Sequence, residues 1–315
     1  MNNDVLVIGA GVTGLTTAIL LAEAGRQVRI RTAEPPLATT SAVAGALLGP
    51  IIDDEDPRVN RWLVAGDAMF RLLAADPATG IRVATGRLVS RWGGGLPPWA
   101  PAIPGFAECV GDDLPAGFGT GFRVQLPIAD MRRYLGYLEV RLRAAGGRID
   151  VDPVRSLAEA ADSAPVVVNC TGSYAGRLTP DDDLHPVRGQ HVIVRNPGLD
   201  EFLFEGGSGT PTWAGYFPHG DRVVLGGIAV PGQWDLTPDD DVTAGILART
   251  IAVEPRLAGA EVLGVEVGLR PVRSKVRIEA TQIGSAMVVH HYGHGGNGVQ
   301  WSWGSAQDAA ALVLA

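Results

Sequence analysis

Apolar residues along the chain fall into three textures. The first is the short unbroken run, in Val5-Leu6-Val7-Ile8 and in Val166-Val167-Val168, whose length and β-branching predict strands buried on both faces. The second has helical spacing. Leu15 to Ala24 is rich in Ala and Leu and stops at Gly25, while Ile128 to Ala145 sets Met131, Leu135, Leu138 and Leu142 three or four apart before Gly146-Gly147. The third is alternating. His185 to Gln190 leads into His191-Val192-Ile193-Val194, and Tyr216 to Arg222 leads into Val223-Val224-Leu225-Gly226-Gly227, which predicts antiparallel sheet over about 185–265. From about Pro50 to Gln125 short apolar stretches are broken by Pro and Gly, as in Trp92-Gly93-Gly94-Gly95-Leu96-Pro97-Pro98-Trp99, and this texture predicts β structure with long loops. Parallel-type strands and helices near both ends, with two β-rich blocks between, predict an α/β fold into which an antiparallel-sheet substrate domain is inserted. The expected division is 1–50, 128–184 and 266–315 against 51–127 and 185–265.

The first apolar run ends in Gly9-Ala10-Gly11-Val12-Thr13-Gly14 and opens a helix. Gly9 permits a tight turn, Gly11 lets the backbone approach a pyrophosphate, and Gly14 lets helix and strand pack closely. This is the fingerprint of a Rossmann-like dinucleotide site, with the anion held at the helix N-terminus. The ribose-binding acid of such units is expected just past the second strand, Gln27 to Ile30, but Thr32 stands there and the nearest acid is Glu34. Glu34 is either the ribose ligand or a solvent-exposed loop acid. The small and hydroxylated run with Thr39, Thr40, Ser41, Gly45, Ala46 and Leu47 can bring backbone amides and hydroxyls to a ligand, or can be a Ser/Thr-capped helix start. Asn169-Cys170-Thr171-Gly172 closes a parallel strand at the end that faces a ligand crevice, and Cys170 reads as a small buried residue rather than a nucleophile.

At 315 residues the chain holds one large or two medium domains. A net charge of -8 without Lys/Arg clusters argues against nucleic acid as a partner. No apolar run is long enough to cross a bilayer, and no charged leader precedes the first strand, so a cytoplasmic protein without membrane contact is expected. The 2 cysteines are too few for a disulfide framework and lack metal spacing.

The stretch Met287-Val288-Val289-His290-His291-Tyr292-Gly293-His294-Gly295-Gly296-Asn297-Gly298, with Gly304-Ser305-Ala306 beyond it, closely resembles the signature of the D-amino acid oxidase family. Matching segments run through the chain in the family's order: Val7 to Leu15, Thr39 to Gly45, Val168 to Gly172, Arg188-Gly189-Gln190 and Gly268-Leu269-Arg270-Pro271-Val272-Arg273. The resemblance implies an FAD-binding domain, with the residues above joined by Val154, Gly293, Gly295, Gly296, Asn297, Gly298, Val299 and Gln300 around the cofactor. It implies that Arg270 binds the substrate carboxylate and that the Gly296 carbonyl meets its amine. It also implies hydride transfer from Cα to flavin N5, giving an imino acid and then a 2-oxo acid and ammonia, with molecular oxygen reoxidising the flavin to yield hydrogen peroxide. A homodimer is possible. His290, His291 and His294 raise the idea of a metal, but no carboxylate or cysteine completes a set and the family uses none.

Two positions depart from the family. Gly215 stands where a pocket tyrosine is expected, with Tyr216 one step later and therefore on the opposite face unless a bulge intervenes. Tyr216 is carried as the candidate catalytic tyrosine on that condition. Leu48-Gly49 replaces aromatic residues of bacterial relatives. Both changes point to a roomier pocket and motivate a second reading, an oxidase of secondary or N-substituted amines. A nicotinamide dehydrogenase and a flavin protein without catalysis are the remaining alternatives.

Overall fold

The computed structural model describes residues 4–49, 56–91, 95–206 and 210–315; Pro50 and Trp92-Gly93-Gly94 lie outside them. In chain order the strands are β1 (Asp4–Ile8), β2 (Gln27–Thr32), β3 (Ile81–Ser90), β4 (Ala107–Glu108), β5 (Thr120–Ala129), β6 (Arg148–Val151), β7 (Val166–Asn169), β8 (His185–Arg195), β9 (Phe202–Glu205), β10 (Thr212–His219), β11 (Arg222–Ile228), β12 (Val230–Pro231), β13 (Val262–Ile283) and β14 (Ala286–His294). The helices are α1 (Val12–Glu23), α2 (Pro57–Leu73), α3 (Met131–Ala144), α4 (Leu157–Ser163), α5 (Asp240–Val253) and α6 (Gly298–Leu314). None of these is long and apolar enough to cross a membrane.

The strands form one mixed sheet in the order β4-β5-β3-β9-β10-β11-β8-β13-β14-β7-β1-β2-β6, with β12 beside β8. The run β14-β7-β1-β2-β6 is parallel throughout. Its central strands are buried on both faces, as their unbroken apolar sequences require. Val5 and Val7 point into a core with α1, α3 and α6, while Leu6 and Ile8 point into a second core with α4. The two β-rich blocks do join into one sheet, because β3 from the first pairs with β9 from the second. The 22-residue β13 belongs to both parts: residues up to Val272 pair with β8, and Arg277 to Ile283 pair with β14. The boundary expected at 265/266 therefore falls inside a strand.

The first β-rich block also contains a helix that its texture concealed. Asp56 caps α2 by accepting from the Arg58 amide, Pro57 occupies its first turn, and Val59, Trp62, Gly66, Phe70 and Leu73 make its buried face. Arg58, Asn60, Arg61, Asp67 and Arg71 on the other positions broke the apolar pattern into short pieces. The helix packs on α6 so closely that a Cβ on Gly66 would lie 2.5 Å from the Gln300 carbonyl, and one on Gly304 would lie 2.3 Å from the Trp62 Cα. Residues 57–73 thus pack with the nucleotide-type half, contrary to the expected division.

Candidate active site

At two of its glycines the fingerprint makes the close approaches that its spacing predicts. Gly9 has φ +101°, and a Cβ there would stand 2.6 Å from the Cys170 carbonyl oxygen; at Gly14 it would stand 2.0 Å from the Gly9 carbonyl oxygen. α1 begins at Gly11 without a side-chain cap and without an acidic residue in its first turn. Val12 N donates to Ser41 Oγ at 2.9 Å, which fixes the hydroxylated segment against the helix start. The remaining first-turn amides have no intrahelical partner and carry the positive end of the helix dipole. Gly9, Ala10, Gly11, Val12 and Thr13 line one end of a cavity of about 1000 Å³, together with Thr32, Glu34 and Val154. Gly14 lies beneath this wall. Thr32 Oγ1 donates to the Glu34 carbonyl at 2.8 Å and so holds the loop that carries Glu34 at the cavity edge.

Thr39, Thr40, Ser41, Gly45, Ala46 and Leu47 continue the wall, as do Cys170, Thr171 and Gly172. Opposite them α6 supplies a second helix N-terminus with no side-chain cap and no acid in its first turn. Gly295, Gly296, Asn297, Gly298, Val299 and Gln300 all reach the cavity. Gln300 Nε2 donates to the Gly49 carbonyl, tying the two walls together. Gly293 does not reach it; its φ of +93° turns the chain while Arg273 covers its outer side. Two bare helix starts facing one cavity form a donor set suited to a dinucleotide with an electron-rich ring.

The far end is a different environment. Arg270 leans over Gly189, where a Cβ would be 2.6 Å from its Nη1, and that nitrogen donates to the Ile228 carbonyl at 3.0 Å. Burial pulls its pKa down, and among the described residues no carboxylate is paired with it. By contrast Arg273 and Arg277, the other arginines of that segment, are engaged with Asp181, at 3.0 and 3.5 Å. The cavity wall beside Arg270 is completed by His191, Trp213, Phe217 and Phe204.

Tyr216 is not among these residues, which corrects the sequence expectation. The irregular register of β10 lies between Thr212 and Gly215, before Tyr216, so it does not turn that side chain round. Tyr216 is 1% exposed on the α5 side of the sheet; Arg87 donates to its hydroxyl at 3.1 Å, and it donates to Glu254 at 3.3 Å. Trp213, which the sequence reading passed over, fills the space above Gly215, Gly226 and Gly227: a Cβ on any of them would lie 2.3–2.7 Å from its ring. The only sequence signal was three glycines on adjacent strands with a tryptophan nearby. Tyr216→Phe should therefore leave kcat/KM within about twofold while costing about 1–3 kcal/mol of stability, as steady-state kinetics and denaturant unfolding will show.

Cys170 is buried, and desolvation pushes its thiol up to about 12, so it is no nucleophile. With Cys109 also buried, the native protein should show no thiol that reacts with an aromatic disulfide reagent, and both should appear in denaturant. Five buried histidines are held neutral. Desolvation takes His191, His219 and His290 down to about 4 and His294 to about 3, and it takes His291 well below its ordinary value. His290, His291 and His294 bond separately to Thr281, Thr17 and Ser305, and no metal-type cluster occurs among the described residues. Because the unfolded chain takes up these protons first, stability is full above pH 6.5 and falls as pH drops towards 4, by up to about 1.4 kcal/mol per pH unit for each histidine. Melting temperature measured from pH 7 to 4.5 should decline steeply.

The profile of the FAD dependent oxidoreductase family matches residues 4–312. A D-amino-acid oxidase of Rubrobacter xylanophilus is 45% identical over 98% of this chain and 95% of its own length. A D-amino-acid oxidase of Streptomyces coelicolor is 43% identical over 99% and 97%. Among solved structures, glycine oxidase from Geobacillus kaustophilus superimposes with a TM-score of 0.83 at 18% identity, covering 99% of this chain and 94% of that one. The fold, the acid-free helix starts and the full-length match agree: the chain belongs to the D-amino acid oxidase family of FAD-dependent oxidoreductases, and FAD is its cofactor.

Proposed function

We propose that the protein is an oxidase of amino acids of the D series. The observation that carries this reading is Arg270, a guanidinium beside the cavity with no carboxylate of its own among the described residues. A planar fork in that position binds a substrate carboxylate through two parallel hydrogen bonds, and it thereby fixes the orientation of Cα. A Cβ on Gly296 would be 3.5 Å from Arg270 Cδ, so the residue whose carbonyl would accept the substrate amine adjoins the carboxylate anchor. Gly9 to Thr13 with Ser41 would hold the pyrophosphate of FAD, Thr32 and Glu34 its ribose, and Thr39 to Leu47 with Gly295 to Gln300 its ring. FAD supplies the hydride acceptor for the Cα–H bond and, through molecular oxygen, the release of hydrogen peroxide. The chain contributes orientation and the exclusion of water by Trp213, Phe217 and Phe204. The D series follows the named activity of the two bacterial relatives.

The test is anaerobic bleaching of the visible flavin spectrum by D-, L- and N-substituted amino acids, followed by air. Bleaching by D-amino acids with recovery and peroxide release is the expected result. Bleaching by N-substituted amines alone would replace this reading with that of a secondary-amine oxidase, and no bleaching by any of them would remove both.

A further inference from the structure

His191 follows Gly189 by two residues on β8 and therefore projects from the same sheet face, beside the guanidinium that leans over Gly189. Its Nδ1 lies 2.9 Å from the Val43 carbonyl oxygen. A carbonyl can only accept, so Nδ1 carries the proton and Nε2 of the neutral ring is a bare acceptor. The residue is 7% exposed, it lines the cavity, and no donor reaches Nε2 among the described residues. Desolvation and the charge of Arg270 keep the ring neutral under working conditions.

One aromatic ring meets His191 directly, and two more back that ring. Trp213 meets His191 edge-on with centroids 6.1 Å apart, and it packs against Phe204 at 5.2 Å and Phe217 at 6.3 Å. Gly227 separates the two polar rings, since a Cβ there would touch both. The compartment is thus apolar in its walls and polar at one point. It lies in the same cavity as Arg270, on the sheet face from which Gly189 and His191 both project, within reach of the side chain of an amino acid anchored on that guanidinium.

Resting on the oxidase reading above, we infer that the compartment between His191 and Trp213 receives the substrate side chain. His191 Nε2 there selects amino acids whose side chain carries a neutral O–H or N–H donor over isosteres that lack one. A donor-free side chain leaves Nε2 desolvated and unpaired, and that loss is the source of discrimination.

The experiment uses the FAD-loaded protein and two isosteric pairs, D-threonine with D-valine and D-tyrosine with D-phenylalanine, comparing kcat/KM within each pair. The expected result is a preference of about tenfold or more for the donor-bearing member of at least one pair, collapsing to one or below in His191→Phe with the flavin spectrum unchanged. A ratio of one or less in both pairs for the unaltered protein overturns the inference. So does a His191→Phe protein that loses flavin and scales both members of each pair by the same factor, since His191 would then serve the cofactor. If no amino acid of any series reduces the flavin, the oxidase reading itself falls. Equal reduction by both members of each pair removes only the role of His191.

Discussion

Replacing Arg270 with leucine should lower kcat/KM for the amino acid substrate by about two to three orders of magnitude. Truncating one partner of a buried, hydrogen-bonded charge pair costs about 2–5 kcal/mol, and here the pair is completed by the substrate. Arg270→Lys should recover only part of this, because an ammonium keeps the charge but loses the planar fork. The companion effect on stability has the opposite sense to an ordinary arginine deletion. Arg270 spends desolvation without an acidic partner among the described residues, where its Nη1 donates to the Ile228 carbonyl. Unfolding of the apoprotein should therefore show Arg270→Leu at least as stable as the parent, whereas Arg273→Leu, which abandons Asp181, should be clearly weaker. A loss of activity that came with an equal loss of stability would make Arg270 a structural residue instead.

The second large effect is expected at the first glycine of the fingerprint. Gly9→Ala places a side chain in a left-handed conformation, at about 1–3 kcal/mol, and drives its Cβ against the backbone oxygen of Cys170. Neither strain can be relieved without moving the turn, and the turn positions the Val12 and Thr13 amides. The purified variant should be colourless, with FAD affinity reduced by about a hundredfold or more, the equivalent of the strain energy plus misaligned amides. Gly11→Ala is the informative contrast. Its Cβ would meet only Ser41 Oγ, at 3.2 Å, so the apoprotein should melt as the parent does. What it changes is the surface offered to the phosphates, and FAD titration should show weaker binding with unchanged apoprotein stability. The ratio of 280 to 450 nm absorbance in the purified proteins reads both outcomes.

What could be seen in the sequence was whatever local sterics decide. Gly9 and Gly14 are fixed by the turn they make, so their roles follow from spacing alone, and the helix with Met131, Leu135, Leu138 and Leu142 follows from its period. The family signature likewise located Arg270 and the glycine-rich entry to α6. The buried face of α2 was hidden because its charged positions interrupt the apolar ones, and nothing local says which helix it will lie against. Tyr216 shows the limit most clearly. It stands one residue past the expected place, strand parity decides the face, and the irregularity in β10 falls on the wrong side of it to help. Trp213 and His191 were out of reach for a related reason: each is an ordinary strand residue until glycines on neighbouring strands make room beside it.

The long strand β13 has a mechanical meaning. Arg270 sits near its middle, and Val272 is already in register with His294, after which the glycine-rich turn begins. The proposed carboxylate anchor and the proposed seat of the ring would thus be two marks on neighbouring strands of one sheet, on the near side of the irregular register between Val272 and Arg277, rather than on two jaws that close. An enzyme built on the proposed site should measure its substrate: the span from carboxylate to reacting carbon would be set by the backbone, and an amino acid with one extra methylene between them should present the wrong atom at the right place.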